Sequence, residues 1–313
     1  MKQLQFEVWK TCNSRCTFCY LDKTNLYTSN SKKLENLNKI INIVSDIQIY
    51  KIYDTIALIG GEFFQGQLNT EEIKTKFFEL IDLLVKMSNL GYIKTIWISA
   101  TLTLGLQEDL YNTLNKLDKG KAEYWILTSY DTIGRFHTKK MLETWEYHIN
   151  KIHTDYPRCN LNTTMILTGD LITKYLNESF SFNTFQKKYN TSLFLKLGAI
   201  PDNTYKSKQE MNDKVTNFFP KRKDFLNFLK KIKIENPLLY EKLFNIKYRA
   251  DTLYCEYKDK EFISERNKET KMESYDSTVD YIMDCGHLSL YKIYIDSDKC
   301  ALCDKLSIER LEN

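Results

Sequence analysis

No run of eighteen apolar residues occurs in this 313-residue chain, so it offers no membrane-spanning helix. The first ten residues, MKQLQFEVWK, alternate like a strand and lack the apolar core of a signal peptide. A cytoplasmic protein with reduced thiols is therefore expected. An excess of one charge is missing too. The 45 basic and 41 acidic residues leave a formal charge of +4, too mild to argue for nucleic acid or a membrane surface. Internal repeats and low-complexity tracts are absent. Proline is scarce, at four residues, beside abundant Lys, Asn, Ile and Tyr. That bias reads as the mark of an AT-rich coding genome, a matter of ancestry rather than function.

What the chain does have is cysteine, eight in all. In a reducing compartment these point to metal or catalysis rather than to disulfides. Three of them, Cys12, Cys16 and Cys19, fall within TCNSRCTFCY at the spacing C-x3-C-x2-C. Thiolates suit zinc or iron–sulfur clusters. Structural zinc takes four protein ligands, and this stretch offers three with no histidine beside them. Three cysteines on one loop can hold three irons of a four-iron cluster and leave the fourth open to a small molecule. The plainer reading is a zinc knuckle with a distant fourth ligand, or buried thiols without metal.

The hydrophobic pattern places that loop. QLQFEVW reads as a strand, and SKKLENLNKIINIVSDI puts Leu34, Leu37, Ile40, Ile41, Val44 and Ile47 on one helical face. TIALIGG is a short buried run suited to a parallel sheet. Asn69 with Glu72 marks a helix start, and Gly91 its stop. KTIWISA, AEYWILTSY, NLNTTMILTG and SLFLKLGAI continue the strands, with helices between them. Six strands in βα order predict an α/β fold, a parallel sheet curled into a partial barrel with helices outside. The cysteine loop follows the first strand, at the end where such folds place their chemistry.

These residues resemble the radical SAM superfamily. C-x3-C-x2-C follows the first strand, with Phe18 before the last cysteine and Tyr20 after it. IGGEFF, at the end of the second strand, resembles the family's GGE motif. The resemblance covers roughly residues 3 to 200 and implies a partial (β/α)6 TIM-like barrel. It implies a [4Fe–4S] cluster on Cys12, Cys16 and Cys19, with S-adenosylmethionine on its open iron. Gly60, Gly61 and Glu62 would meet the cofactor's amino group, the glycines by close backbone approach and Glu62 as acceptor. SATLTL stands where many relatives have a Thr-Asn-Gly-Thr-like segment, which makes Ser99 and Thr101 candidate contacts. TSYDTIGRFH resembles the family's Ser-x-Asp segment and nominates Ser129 and Asp131 for the ribose or substrate side. Arg135 would meet a carboxylate or phosphate. The implied chemistry is reductive cleavage of S-adenosylmethionine to a 5′-deoxyadenosyl radical that takes hydrogen from a substrate. A one-electron reductase such as flavodoxin or ferredoxin is the implied partner.

The expected organisation is a barrel core over residues 1–204 and a small metal-binding extension over 205–313. Within the extension, the basic run KRKDFLNFLKKIKIENPLLYEKLF reads as a helix. It is either a contact for an acidic partner or, more plainly, a surface helix with Phe225, Leu226, Leu229 and Ile232 on the core. KDKEFISERNKETKMESYDSTVD reads as a polar loop. The tail holds Cys285, His287, Cys300 and Cys303, with Cys255 upstream. Two assignments compete: Cys255, Cys285, Cys300 and Cys303 for an auxiliary iron–sulfur cluster, or Cys285, His287, Cys300 and Cys303 for zinc. The tail resembles a reduced SPASM or twitch module. Cys159, at the start of the fifth strand, reads as a packing residue.

The substrate expectation is a peptide or protein, with a nucleotide or other small molecule as the alternative. Because the strand pattern begins almost at once, no leader-peptide-binding domain is expected ahead of the barrel. A different class is also open: a non-catalytic iron–sulfur or zinc protein acting as redox sensor or scaffold, which would not need the GGE segment.

Overall fold

The computed structural model describes residues 3–14, 16, 27–103, 108–131, 133–197, 199–201, 220 and 222–244, with three short strands further on. Six strands alternate with helices as the sequence pattern demands. They are β1 (Gln3–Trp9), β2 (Thr55–Gly60), β3 (Thr95–Ser99), β4 (Glu123–Tyr130), β5 (Cys159–Leu167) and β6 (Ser192–Leu197). Each pairs in parallel with the next in chain order. The helices between them are α1 (Asn30–Ser45), α2 (Glu71–Asn89), α3 (Glu108–Leu117), α4 (Lys139–Asp155), α5 (Gly169–Leu176) and α6 (Phe182–Tyr189). A short 3-10 turn, Ile47–Lys51, follows α1.

Five of these helices start on Ser29, Thr70, Thr138, Thr168 and Ser181, each accepting a backbone N–H of the first turn. Each such cap contributes about 1 kcal/mol. The cap of α2 is Thr70 and not Asn69, one residue later than the sequence pattern places it. Gly91 does stop α2: its φ is +84°, and Tyr92 N–H reaches back to Met87 O at 3.0 Å.

The strands show which side the helices cover. Leu4, Phe6 and Val8 of β1, Tyr124 and Ile126 of β4, and Leu161 and Met165 of β5 are buried with the helix stripes in one apolar core. The alternate residues of the same strands, Gln5 and Glu7 of β1, Trp125 and Leu127 of β4, and Asn160 and Asn162 of β5, are half-buried. A doubly wound sheet would bury both faces. Here helices cover one face, and the opposite face is that of a partial barrel. Across it the register lines up Gln5, Ala57, Trp97, Trp125 and Asn160, and the two tryptophan rings lie 5.8 Å apart.

Three departures from the sequence pattern have local causes. SLFLKLGAI is not one strand: β6 ends at Leu197, and a separate β7 (Ala199–Pro201) pairs antiparallel with β10 (Tyr291–Ile293). The basic run is two helices, α7 (Arg222–Glu235) and α8 (Pro237–Phe244). Pro237 cannot extend α7 but suits the first position of α8, whose Leu239 N–H is capped by Asn236 Oδ1 at 3.1 Å. Phe225, Phe228, Leu229 and Ile232 of α7 are fully buried, so packing explains this helix. The polar stretch read as a loop contains β8 (Met272–Asp276), which pairs in parallel with β1 and antiparallel with β9 (Tyr281–Asp284).

Cys159 packs as expected, 5% exposed on the helix-covered side, and burial pushes its thiol up to about 12. Among the described residues, no helix is long and apolar enough to cross a membrane.

Candidate functional site

The first four parallel strands deliver their carboxyl ends to one place. β1 runs out at Trp9 into Lys10, Thr11 and Cys12, and β2 runs out at Gly60 beside it. The ladder shifts register between Glu7 and Trp9, so Trp9 pairs with Gly60. Past the strands the two chains stay in contact: Gly61 N–H donates to Trp9 O at 2.7 Å, and Glu62 N–H to Thr11 O at 2.9 Å. A Cβ on Gly60 would overlap the Trp9 carbonyl oxygen, and one on Gly61 the Thr11 carbonyl oxygen. Gly60 also has φ +138°. The two glycines are thus required by the close approach of the segment leading into Cys12.

Glu62 lies at 0% exposure. Its Oε1 accepts from Phe64 N–H at 3.1 Å and its Oε2 from Thr101 N–H at 2.6 Å. Burial pushes the carboxyl up, against the pull of these backbone donors. The carboxylate therefore joins the ends of β2 and β3. Trp9 backs this corner: its indole N–H donates to Glu62 O at 3.0 Å, and its ring packs on Phe63 at 5.1 Å. Behind Trp9 lies a buried lysine, Lys33, whose Nζ sits 5.3 Å from the ring centroid and donates to Gln67 O at 2.9 Å.

The base of the cysteine segment is tied shut. Lys10 N–H donates to Thr28 Oγ1 at 3.1 Å, and Thr28 N–H to Thr11 Oγ1 at 2.8 Å. Between these ties Cys12 is half-buried and Cys16 is buried, while Cys19 lies outside the described residues. Burial pushes the Cys12 thiol up. Ser14 N–H, 3.5 Å from its Sγ, works the other way, and the nearby charges of Glu62 and Arg135 act in opposite senses.

The loop after β3 adds hydroxyls. Gln65 Nε2 lies 2.5 Å from Thr101 Oγ1, 3.3 Å from Thr103 Oγ1 and 3.0 Å from Ser14 Oγ. Leu102, between the two threonines, is fully buried with φ +58°, in the left-handed region that β-carbon sterics disfavour.

From β4 come Asp131, Arg135 and His137. Asp131 is 2% exposed; its Oδ2 is paired with Arg135 Nε at 3.3 Å. Its Oδ1 is buried with no hydrogen-bond partner among the described residues. Burial pushes the carboxyl up to about 7 despite the arginine. His137 Nε2 is 3.3 Å from Ser14 O, on the cysteine segment.

Gly60, Gly61 and Glu62 thus adjoin the segment that leads into Cys12, Thr101 is tied to Glu62, and Asp131 holds Arg135, whose charge reaches Cys12. Ser99 and Ser129 are half-buried on the face opposite the helices, where the register sets Ser99 beside Leu127 and Ser129 beside Thr164. Arg135 is taken up by Asp131 rather than presented alone. Cys255, Cys285, His287, Cys300 and Cys303 lie outside the described residues. Among the described residues, no three Cys, His, Asp or Glu form a metal-sized group. Asn13, Ser14, Gln65, Leu102 and Thr103 escape a sequence reading, because their roles come from tertiary contact.

No protein-family model matches the chain, and no curated protein matches it. Among solved structures it is similar in fold to Streptococcus suis SuiB bound to the precursor peptide SuiA, with a TM-score of 0.50 and 14% sequence identity. The match covers 96% of this chain and 63% of that one. At this identity the likeness speaks for the fold.

Proposed function

We propose that the chain is a radical S-adenosylmethionine enzyme acting on a peptide or protein. The observation that carries this reading is the glycine pair, Gly60 and Gly61, laid against the backbone that leads into Cys12. It sets the backbone that runs into Cys12 beside the Gly60–Glu62 turn at the carboxyl ends of parallel strands, which supports reading the two as one site. A scaffold protein would have no need of that pairing.

Cys12, Cys16 and Cys19 would hold three irons of a [4Fe–4S] cluster and leave the fourth for S-adenosylmethionine. When bound, the two supply a one-electron cleavage that yields a radical able to take hydrogen from an unactivated carbon. The residues present fit that pair of groups. The unpartnered Asp131 Oδ1 calls for a donor, such as a sugar hydroxyl, while Arg135 holds the other oxygen. Backbone carbonyls around Gly60 and Gly61 can accept from an ammonium. Glu62 would accept from that ammonium as well, since each of its oxygens holds a single backbone N–H and keeps a second acceptor site.

The face opposite the helices carries Ser99, Ser129, Asn162 and Thr164 beside Trp97 and Trp125, groups that suit a polar chain with apolar side groups. The fold neighbour was crystallised with a precursor peptide, which favours a peptide over a small molecule. Residues 1–204 form the barrel core in this reading, and 205–313 an extension with a second metal, iron–sulfur or zinc, on the tail cysteines with or without His287. A flavodoxin- or ferredoxin-like reductase supplies the electron.

The test is anaerobic reconstitution with iron and sulfide, followed by dithionite and S-adenosylmethionine. Formation of 5′-deoxyadenosine, abolished by joint replacement of Cys12, Cys16 and Cys19 with Ala, is the expected result. A reconstituted chain that binds iron but never forms 5′-deoxyadenosine overturns the proposal.

A further inference from the structure

Gln65 touches the residues between the first two cysteines twice. Its main-chain carbonyl accepts from Asn13 Nδ2 at 3.0 Å, and its side-chain amide lies 3.0 Å from Ser14 Oγ. Ser14 in turn gives its backbone N–H to Cys12 Sγ. On its other side the same amide meets Thr101 and Thr103, whose hydroxyls are 3.3 Å apart. Thr101 is itself anchored through its N–H on Glu62. The amide therefore stands at the junction of the cysteine segment with the ends of β2 and β3.

Three further features single it out. Gln65 is 6% exposed, so these contacts do not compete with bulk water. Two amide hydrogens cannot serve three hydroxyls at once, and Oε1 is buried without a partner among the described residues. The hydroxyls can also donate, so the amide can turn over and keep the junction joined in either orientation. Finally, the threonines reach one amide across Leu102, whose left-handed backbone is disfavoured for a residue with a Cβ. The fold sustains that strain where the hydroxyls converge.

We infer that Gln65 is the positioning residue of the cysteine segment: its side chain holds Ser14, and its main-chain carbonyl holds Asn13, so that it fixes the backbone that follows Cys12. This rests on the cluster reading given above. Groups that orient metal ligands typically change metal affinity by about 10–100-fold when removed.

Gln65→Leu keeps side-chain size and removes both polar atoms. The reconstituted variant is expected to lose iron to a chelator at least about 10-fold faster than the wild type. The electron paramagnetic resonance signal of its reduced cluster should broaden and shift. Gln65→Glu, which still accepts from the three hydroxyls, should restore most of the iron retention. Ser14→Ala, a smaller change to the packing, provides a second arm with the same expected direction. Combined with Gln65→Leu it should add little, since Gln65→Leu already removes the contact to the Ser14 hydroxyl. Melting temperatures of the metal-free variants separate the roles: a merely structural residue would lower them and leave the spectrum of the surviving cluster unchanged. Wild-type iron retention and spectrum in both Gln65→Leu and Ser14→Ala overturn the inference. A wild-type chain that takes up no cluster overturns the reading beneath it instead.

Discussion

Thr101 gives its backbone N–H to Glu62 Oε2 at 2.6 Å, closing the end of β3 onto the end of β2. The second oxygen is held by Phe64 N–H. In Glu62→Gln an amide NH2 must face one of these two donors. The metal-free chain is expected to lose roughly 1–3 kcal/mol, the usual cost of a buried polar group without its partner. Chemical denaturation in the absence of any cofactor measures it. An unchanged midpoint would mean that the carboxylate serves only a ligand.

Leu102 offers a test of backbone strain. Gly is ordinarily less stable than Ala by about 0.5–1 kcal/mol in regular structure. At φ +58° the order should reverse. Leu102→Gly and Leu102→Ala both lose the buried side chain, but only Gly escapes the left-handed penalty of about 1–2 kcal/mol. The glycine variant should therefore be the more stable of the two in urea.

Asp131 should leave a pH signature. Its folded carboxyl titrates near about 7, above the unfolded value of about 4, so the folded chain binds that proton more tightly. The resulting stabilisation is full below about 4 and is lost as pH rises to about 7. Unfolding curves of the metal-free chain between these limits should show the wild type losing stability relative to Asp131→Asn. A constant difference would mean that Arg135 keeps the carboxylate ionised throughout.

Gly61→Ala drives a Cβ into the Thr11 carbonyl. Overpacking of this kind costs roughly 1–3 kcal/mol. Because Thr11 adjoins Cys12, iron uptake should fall together with melting temperature. Full iron uptake at an unchanged melting temperature would contradict the packing described.

Cys159, buried with its thiol raised to about 12, should resist alkylation at neutral pH in the folded chain and react once denaturant is added. Peptide mapping after iodoacetamide treatment reads this directly.

The strands and helices through β6 were legible because their apolar residues repeat at the two periods that one-sided packing imposes. Leu37, Ile40 and Val44 on α1 and Leu4, Phe6 and Val8 on β1 are buried as their spacing demands. The glycines were legible as a motif, but the reason they contact Trp9 and Thr11 was not. β8 was missed because MESYD has no apolar alternation and gains its place only from the edge of β1. The Gln65 junction was invisible for a related reason: Asn13, Ser14, Thr101 and Thr103 are common polar residues whose meeting depends on three separate strand ends. Glu62 was nominated for a ligand, and its tie to Thr101 N–H becomes apparent only when β2 and β3 lie side by side.

The strand that leads into Cys12 is flanked by β2 on one side and β8 on the other. During synthesis β1 can find β2 early but must wait for a flank encoded near the far end of the chain. Until then it presents a raw edge, open to pairing with another molecule. Late-arriving β8 is thus a shield as well as a strand, and a chain cut short before it would be expected to stick to its neighbours.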